Sequence, residues 1–298
     1  MSGRPRSLVS VPARAAALAA AVALSGLLAG CGGGRQEAPP GPSAAEAPEV
    51  PRRIVSMSPN VTEILFALGL GERVVGVDDF SDHPPEAAAK TRLGGFVDPD
   101  LERIVTLRPD LAVMLKSQAD LGRQLERLGI DVLRVDNQDL DDVAASMVAI
   151  GRRAGVAERG EAAAEAFRAA LAPRPVAGGR RVMVAVGRTP GSTGEVMVAG
   201  PDSYPYEMVA RLGAENVFAD LGARYATVGA EEVVARAPEQ VVELHWQRLD
   251  TATEAAMAAE WRALLGPEVE VAVVDGPEVV VPGPRLPQVY DRLEAALR

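Results

Sequence analysis

Short apolar segments alternate with helical patterns along two stretches of this chain, and this alternation limits the fold more than any other feature. In the first stretch, strands are predicted at "IVSM", "VVGV", "LAVML" and "IDVLRV". In the second, they are predicted at "RRVMVAV", "QVVELHW" and "VEVAVV", again with helical patterns between them. Strands joined by helical crossovers form mostly parallel sheets, so the sequence predicts an α/β protein.

A long helical stretch separates the two strand-rich parts. It reads "LDDVAASMVAIGRRAGV" and then "AERGEAAAEAFRAALA", and prolines at 173 and 175 follow it. We therefore predict a first lobe over residues 51–140, a connecting helical segment over 141–172 and a second lobe over 173–298. One long, stiff α-helix between the lobes would allow them only a small rocking motion.

The first thirty residues have the pattern of an export signal. Three arginines without acidic residues precede an apolar run over 15–29, which is shorter than the ~20 residues of a membrane span. The run ends in "LAGC", which resembles the bacterial lipoprotein box and implies cleavage and acylation at Cys31, the single cysteine. Residues 1–30 are thus predicted to be a lipoprotein signal peptide, and residues 31–50, rich in Gly, Pro and Ala, a flexible tether. We expect a protein in the periplasm or on the outer face of the cell membrane, anchored by lipid on Cys31.

The charge balance excludes one class of partner. The formal net charge is -10, and loss of the signal would also remove three arginines. Because the nucleic acid backbone requires a basic protein surface, we predict no nucleic acid partner.

Polar and charged side chains follow several predicted strands. Loops at the carboxyl ends of parallel strands are where such folds bind ligands, so facing lobes would line one cleft with these loops. Arginines there could grip carboxylates or a negatively charged chelate, whereas acidic groups could accept hydrogen bonds. The polar candidates for ligand binding are Ser58, Asn60, Asp79, Lys116, Arg188 and Arg248.

Three segments in this order resemble a known family: "RRIVSMSPNVTEILFALGLGERVVGV", "FSDHPPEA" and "GGFVDPDLERIVTLRPDLAVM". They are similar to the solute-binding proteins of bacterial ABC importers for cobalamin, ferric siderophores and haem. In the second lobe the resemblance continues through "AEEVVARAP" and "PGPR". It implies two Rossmann-like lobes joined by one long helix, with the ligand in a cleft between them.

The resemblance also implies that aromatic side chains stack against the ligand. Phe80 matches a tyrosine of the cobalamin receptor pattern and Tyr225 lies near a matching tryptophan, whereas Leu93 and Leu115 stand at two other aromatic positions. The aromatic candidates for ligand binding are Phe80, Phe96, Tyr225 and Trp246, and Tyr204 and Tyr206 could contribute. The ligand class stays open among a corrinoid, a ferric siderophore and, as an alternative, haem.

Docking to a permease is implied by two glutamates. Glu102 lies in "DLERI" and Glu231 in "GAEEVVARAP", the segments whose glutamates pair with permease arginines in the cobalamin receptor. Glu232 replaces Glu231 if the alignment shifts by one residue. The implied partners are the permease with its ATPase, the chelate ligand and, through the lipid, the membrane, and we expect a monomer.

Catalytic patterns are missing from the sequence. It has no Gly-x-Ser-x-Gly, no His-Glu-x-x-His and no phosphate loop with its lysine. Its two histidines, His83 and His245, lie in different lobes, so no metal site is predicted, although either could contact haem iron. We predict no catalytic residue and no resident cofactor; an exported enzyme acting in the cleft is the less favoured alternative.

Overall fold

A five-stranded parallel sheet forms the first lobe. The structure is a computed structural model that describes residues 50–189 and 191–298. The strands lie in the order β3-β2-β1-β4-β5, and four of them are the predicted ones. They are β1 (Ile54–Ser56), β2 (Val74–Val77), β3 (Thr91–Arg92), β4 (Leu111–Leu115) and β5 (Asp131–Val135). The central strands β1 and β4 are almost wholly buried, as expected of a parallel sheet covered on both faces.

Three helices accompany this sheet: α1 (Pro59–Ala67), α2 (Leu101–Thr106) and α3 (Ala119–Arg127). At the start of α1, Ser58 has extended backbone angles and Pro59 occupies the first turn, where its missing N–H costs nothing. Asn60 therefore lies inside the helix, and Ser58 is its N-cap residue. The helix stops before Gly69, whose φ of 70° suits glycine.

Two helices of 14 residues each make the connection: α4 (Leu140–Arg153) and α5 (Ala157–Ala170). They are packed closely where two glycines meet. A Cβ atom on Gly160 would lie 2.7 Å from the Met147 carbonyl oxygen, and one on Gly151 would lie 2.8 Å from Gly160 Cα. The predicted helical crossing is thus present, but it is broken at residues 154–156 rather than continuous.

The second lobe has a mixed sheet in the order β11-β10-β6-β7-β9, with β8 paired to β6. Its strands are β6 (Arg181–Arg188), β7 (Glu195–Ala199), β8 (Glu215–Asn216), β9 (Tyr225–Gly229), β10 (Gln240–His245) and β11 (Glu270–Asp275). Its helices are α6 (Tyr204–Arg211), α7 (Ala230–Arg236), α8 (Thr251–Leu265) and α9 (Leu286–Ala296). Strand β7 runs antiparallel to β6 and β9, a pairing that the sequence did not predict.

One buried apolar cluster extends through both lobes. It includes Ile54 and Ile64 of the first lobe, Met147 and Phe167 of the connecting helices, and Tyr290 of α9. A smaller cluster around Trp261 belongs to the second lobe, and one around Met57 belongs to the first. The α/β fold of two lobes with mostly parallel sheets is therefore confirmed.

The predicted signal peptide, Cys31 and the predicted tether up to residue 49 lie outside the described residues. Among the residues that are described, none of the helices has the length and apolar character needed to cross a bilayer.

Candidate functional site

The carboxyl ends of strands from both lobes meet at two interlobe contacts. Beyond β1, the Glu63 carboxylate accepts a hydrogen bond of 3.0 Å from Arg285 Nε, and Arg285 follows β11 in the chain. Beyond β5, the Gln138 carbonyl accepts from the Tyr204 N–H at 3.3 Å, and Tyr204 follows β7. The Glu63–Arg285 contact thus joins the carboxyl side of the parallel strands of one lobe to that of the other, where such folds bind ligands. Because β7 runs antiparallel to β6, the contact at Tyr204 does not mark that side.

Two exposed phenylalanines stand on neighbouring loops of the first lobe. Phe80, 67% exposed, follows β2, and Phe96, 49% exposed, follows β3. The two loops are tied together, because Asp79 N donates to the Gly94 carbonyl at 3.0 Å and Gly94 N donates to Asp79 Oδ1 at 3.1 Å. The carboxylate of Asp79, a predicted ligand contact, thus has a structural partner already. Exposed aromatic rings on a braced loop are available to a flat apolar guest.

Beneath these rings lies a network of buried hydroxyl groups. Thr62 Oγ1 lies 2.7 Å from Ser56 Oγ and 2.7 Å from Ser81 Oγ. The Ser81 hydroxyl donates to Asp78, which also accepts from the Phe80 N–H at 3.1 Å. Burial raises the pKa of the Asp78 carboxyl above its ordinary value, although these hydrogen bonds oppose the shift.

Ser58 and Asn60 are buried rather than displayed. The Ser58 hydroxyl donates to Asn60 Oδ1 at 2.7 Å. The Asn60 amide nitrogen is buried, and within the described part of the chain it has no hydrogen-bond partner. Of this predicted pair, Asn60 is therefore the residue with a donor left to offer.

The remaining candidates differ in their surroundings. Lys116 is exposed and its Nζ lies 3.2 Å from Asp136 Oδ2. Trp246 is 58% exposed and lies in the loop after β10, in the second lobe. Tyr225, at the start of β9, is half-buried, and burial raises the pKa of its hydroxyl to about 12.

Arg188 is an internal residue of the second lobe. Its side chain is only 3% exposed, Nε donates to Glu243 Oε1 at 2.8 Å, and Nη1 lies 2.5 Å from Glu260 Oε2. Glu243 also accepts from the buried Trp261 indole at 2.7 Å. The sequence placed this arginine correctly at a strand end but gave no sign of its two acidic partners.

A cluster of three buried carboxylates and three arginines beyond β11 was missed by the sequence analysis. Arg285 bridges Glu63 of the first lobe and Glu278 of the second. Arg248, a predicted ligand contact, pairs with Asp275 and Glu278, and Arg292 pairs with the same two carboxylates. Burial raises the pKa of the Glu63 carboxyl despite its ion pair. The signal that could have revealed the cluster is a glutamate among the apolar residues of "NVTEIL" together with "PGPR".

The two predicted docking glutamates are exposed on the first turns of separate helices. Glu102 lies on α2 and Glu231 on α7. Within the described residues neither carboxylate forms an ion pair, whereas Glu232 pairs with Arg236 at 3.1 Å. Of the two alternatives on α7, Glu231 is therefore the one whose carboxylate is not engaged by another described residue in an ion pair.

Metal ligands are not assembled in the part of the chain that the structure describes, where no group of three or more His, Cys, Asp or Glu could hold an ion. His83 is exposed. His245 Nδ1 lies 3.2 Å from the Gln247 carbonyl oxygen and 3.3 Å from the Gln247 nitrogen, so either tautomer of the ring finds a partner there.

Known proteins resemble this chain along most of its length. A family model described as periplasmic binding protein matches residues 54–260. The vitamin B12-binding protein of Vibrio parahaemolyticus is 30% identical over 200 residues, which cover 66% of this chain and 72% of the relative. The vitamin B12-binding protein of Pectobacterium atrosepticum is 26% identical over 246 residues, 75% of this chain and 86% of the relative.

Solved structures share the fold. The periplasmic vitamin B12 binding protein BtuF of Vibrio cholerae matches with a TM-score of 0.68 at 25% identity, covering 83% of this chain and 97% of that one. A periplasmic heme binding protein from Pseudomonas aeruginosa matches with a TM-score of 0.68 at 27% identity, covering 83% and 92%. The family that the sequence suggested is therefore confirmed: the chain belongs to the periplasmic binding proteins.

Proposed function

We propose that this protein is the solute-binding component of an ABC importer and captures a metal chelate between its lobes. The observation that carries the proposal is the set of exposed aromatic side chains at strand ends of both lobes, namely Phe80 and Phe96 in the first and Trp246 in the second. Large exposed apolar side chains on adjacent loops mark a binding surface, and they suit the face of a macrocycle.

The polar groups around these rings would orient the ligand. Asn60 has a buried donor without a partner in the described residues, and Lys116 and Arg248 carry exposed cationic side chains in loops after strands. A mostly apolar surface with a few fixed polar groups is typical of small-molecule sites. The relatives described as vitamin B12-binding and heme binding support a macrocyclic chelate, either a corrinoid or haem.

Delivery to the membrane completes the proposal. Glu102 and Glu231, exposed on α2 and α7, would each meet an arginine of the permease, one per lobe. The protein would be held at the membrane by lipid on Cys31, would act as a monomer, and would release its ligand chemically unchanged.

A titration panel tests the binding function. Purified protein is mixed with cyanocobalamin, hemin, ferrichrome or ferrioxamine B, and heat and tryptophan emission are followed. We expect one class to bind at a ratio of one, with a Kd of about 1 μM or tighter. Recovery of a chemically altered chelate would contradict the proposal and favour an enzyme.

The emission signal has an internal control. The chain has two tryptophans; Trp246 is exposed, whereas Trp261 is fully buried. The variant Trp246→Phe should therefore lose the ligand-dependent change in emission and keep the emission of Trp261.

A further inference from the structure

A cavity of about 310 Å³ lies in the second lobe beside the loop that carries Trp246. It is bounded by the ends of β6 and β10 and by α8, and the loop that lines it, 245–249, also carries the exposed Trp246. Its apolar wall comes from Leu249, Ala256 and Met257, and its polar wall includes Arg188, Glu243 and Glu260. A volume of this size is at the lower end of those that accept small molecules or their side arms.

The guanidinium of Arg188 has one donor group left over. Nε and Nη1 are engaged by Glu243 and Glu260, and Nη1 also lies 3.3 Å from the Ser192 carbonyl oxygen. Nη2 is buried, and among the described residues it has no hydrogen-bond partner. Since buried polar groups are nearly always hydrogen-bonded, this nitrogen indicates an acceptor supplied from outside the protein.

The charges around the cavity determine what that acceptor can be. Two carboxylates, Glu243 and Glu260, face the single cation Arg188, and the other lining residues are neutral when His245 is neutral. A carboxylate ligand would find the arginine already neutralised and would be repelled by the surplus negative charge. A neutral carbonyl oxygen meets neither obstacle.

Glu260 supplies the complementary acceptor. Its Oε2 contacts Arg188, while Oε1 has no partner within the described residues, and the side chain is 31% exposed. A primary carboxamide carries both groups that this arrangement lacks: a carbonyl oxygen for Arg188 Nη2 and an N–H donor for Glu260 Oε1.

We propose that this cavity is a subsite for a primary carboxamide arm of the chelate. The inference rests on the proposed function and deepens it, because it selects among the chelates. Corrinoids such as cobalamin bear neutral carboxamide arms around the ring, whereas the polar arms of haem are carboxylates. The subsite therefore favours a corrinoid ligand and disfavours haem.

The test uses cyanocobalamin and its monocarboxylic acids, in each of which one ring carboxamide is hydrolysed to a carboxylate. The purified full chain is titrated with each probe by calorimetry. We expect at least one of the acids to bind about tenfold more weakly than cyanocobalamin, because the new carboxylate cannot donate to Glu260 and is repelled by it. Equal affinity for cyanocobalamin and all of its acids would overturn the subsite.

The variant Glu260→Gln removes the surplus charge while keeping an acceptor oxygen. It should reduce that discrimination to about threefold or less, with the larger change in affinity for the acid. Glu254→Gln, which makes the same change on α8 outside the cavity lining, should leave the discrimination as in the unaltered chain. Unchanged discrimination in Glu260→Gln would also overturn the subsite, provided that circular dichroism shows both variants folded.

Failure of the subsite and failure of the proposed function give different results. If the protein binds hemin or a ferric siderophore but not cyanocobalamin, the carboxamide inference is wrong and chelate capture stands. If it binds no chelate of the panel, both are wrong.

Discussion

Glu63 of α1 and Arg285 at the start of α9 form an ion pair across the two lobes, with Arg285 Nε 3.0 Å from Glu63 Oε2 and a second contact through Nη2. The Glu63 side chain is 4% exposed and that of Arg285 is 14% exposed. The two residues lie 222 positions apart in the chain. This contact fastens the carboxyl side of one sheet to that of the other.

Removing one partner of this pair should destabilise the whole protein. For Glu63→Gln we expect a loss of about 2 kcal/mol in the free energy of unfolding, because the largely buried Arg285 would lose its nearest negative charge and keep only the longer ion pair with Glu278. Urea unfolding measures it. Glu72→Gln, at an exposed position of the same lobe, should change stability by less than about 0.5 kcal/mol. Equal effects of the two substitutions would show that the interlobe pair contributes nothing.

Asp78 should make stability depend on pH. Burial raises the pKa of its carboxyl in the folded state, so the folded protein holds this proton more tightly than the unfolded chain. Its contribution is then fully present below the ordinary Asp pKa and is lost as pH rises through the folded value. The stability of the unaltered protein minus that of Asp78→Asn should fall as pH rises from about 4, the ordinary Asp value, towards neutral. A difference that rises over this range would contradict the assignment.

Phe80 should contribute binding energy directly. Its side chain is 67% exposed, so Phe80→Ala should remove contact with the ligand and little packing. We expect affinity for the chelate found in the panel to fall about fivefold to tenfold, with stability nearly unchanged. Leu128→Ala, which removes an exposed apolar side chain after α3, is the matched control and should bind normally.

Glu102 and Glu231 should act in transport and not in binding. The double variant Glu102→Gln, Glu231→Gln is expected to bind the chelate with unchanged affinity, because both side chains are exposed on helices and belong to none of the loops that carry Phe80, Phe96 and Trp246. Uptake by cells should nevertheless be lost, and binding to the permease should lose its sensitivity to salt. Glu232→Gln is the control, since Glu232 is held by Arg236. Normal uptake by the double variant would contradict the proposal that these two glutamates dock the protein to the permease.

Cys31 should decide whether the protein stays on the membrane. With Cys31→Ser there is no thiol to acylate, and we expect the protein to move from the membrane fraction to the soluble fraction, since stable anchoring requires the hydrophobic chains. Ligand affinity should not change. Membrane retention of this variant would exclude lipid on Cys31 as the anchor.

Much of the fold could be predicted because its signals are local. The strand "LAVML" was predicted with its observed bounds, Leu111–Leu115, since a short apolar run followed by polar residues is typical of a buried parallel strand. Strand β7 escaped prediction because it follows a glycine-rich segment, and its alternating burial arises only from antiparallel pairing with β6 and β9. The break between α4 and α5 has a local signal in Gly155, whose φ is 73°, whereas the close packing of the two helices depends on Gly151 and Gly160 meeting.

By itself, then, the sequence determined the alternation of the buried parallel strands with helices, the family and the loops where a ligand could lie, because each of these depends on neighbours in the chain. Only the tertiary structure decided what the charged residues of those loops do. Arg188 and Arg285 are alike in the sequence, yet one is enclosed by Glu243 and Glu260 and the other joins the lobes through Glu63. Packing brings together partners that are separated by tens to hundreds of residues. Burial then strengthens the electrostatic interactions and hydrogen bonds between them, because the protein interior has a low dielectric constant.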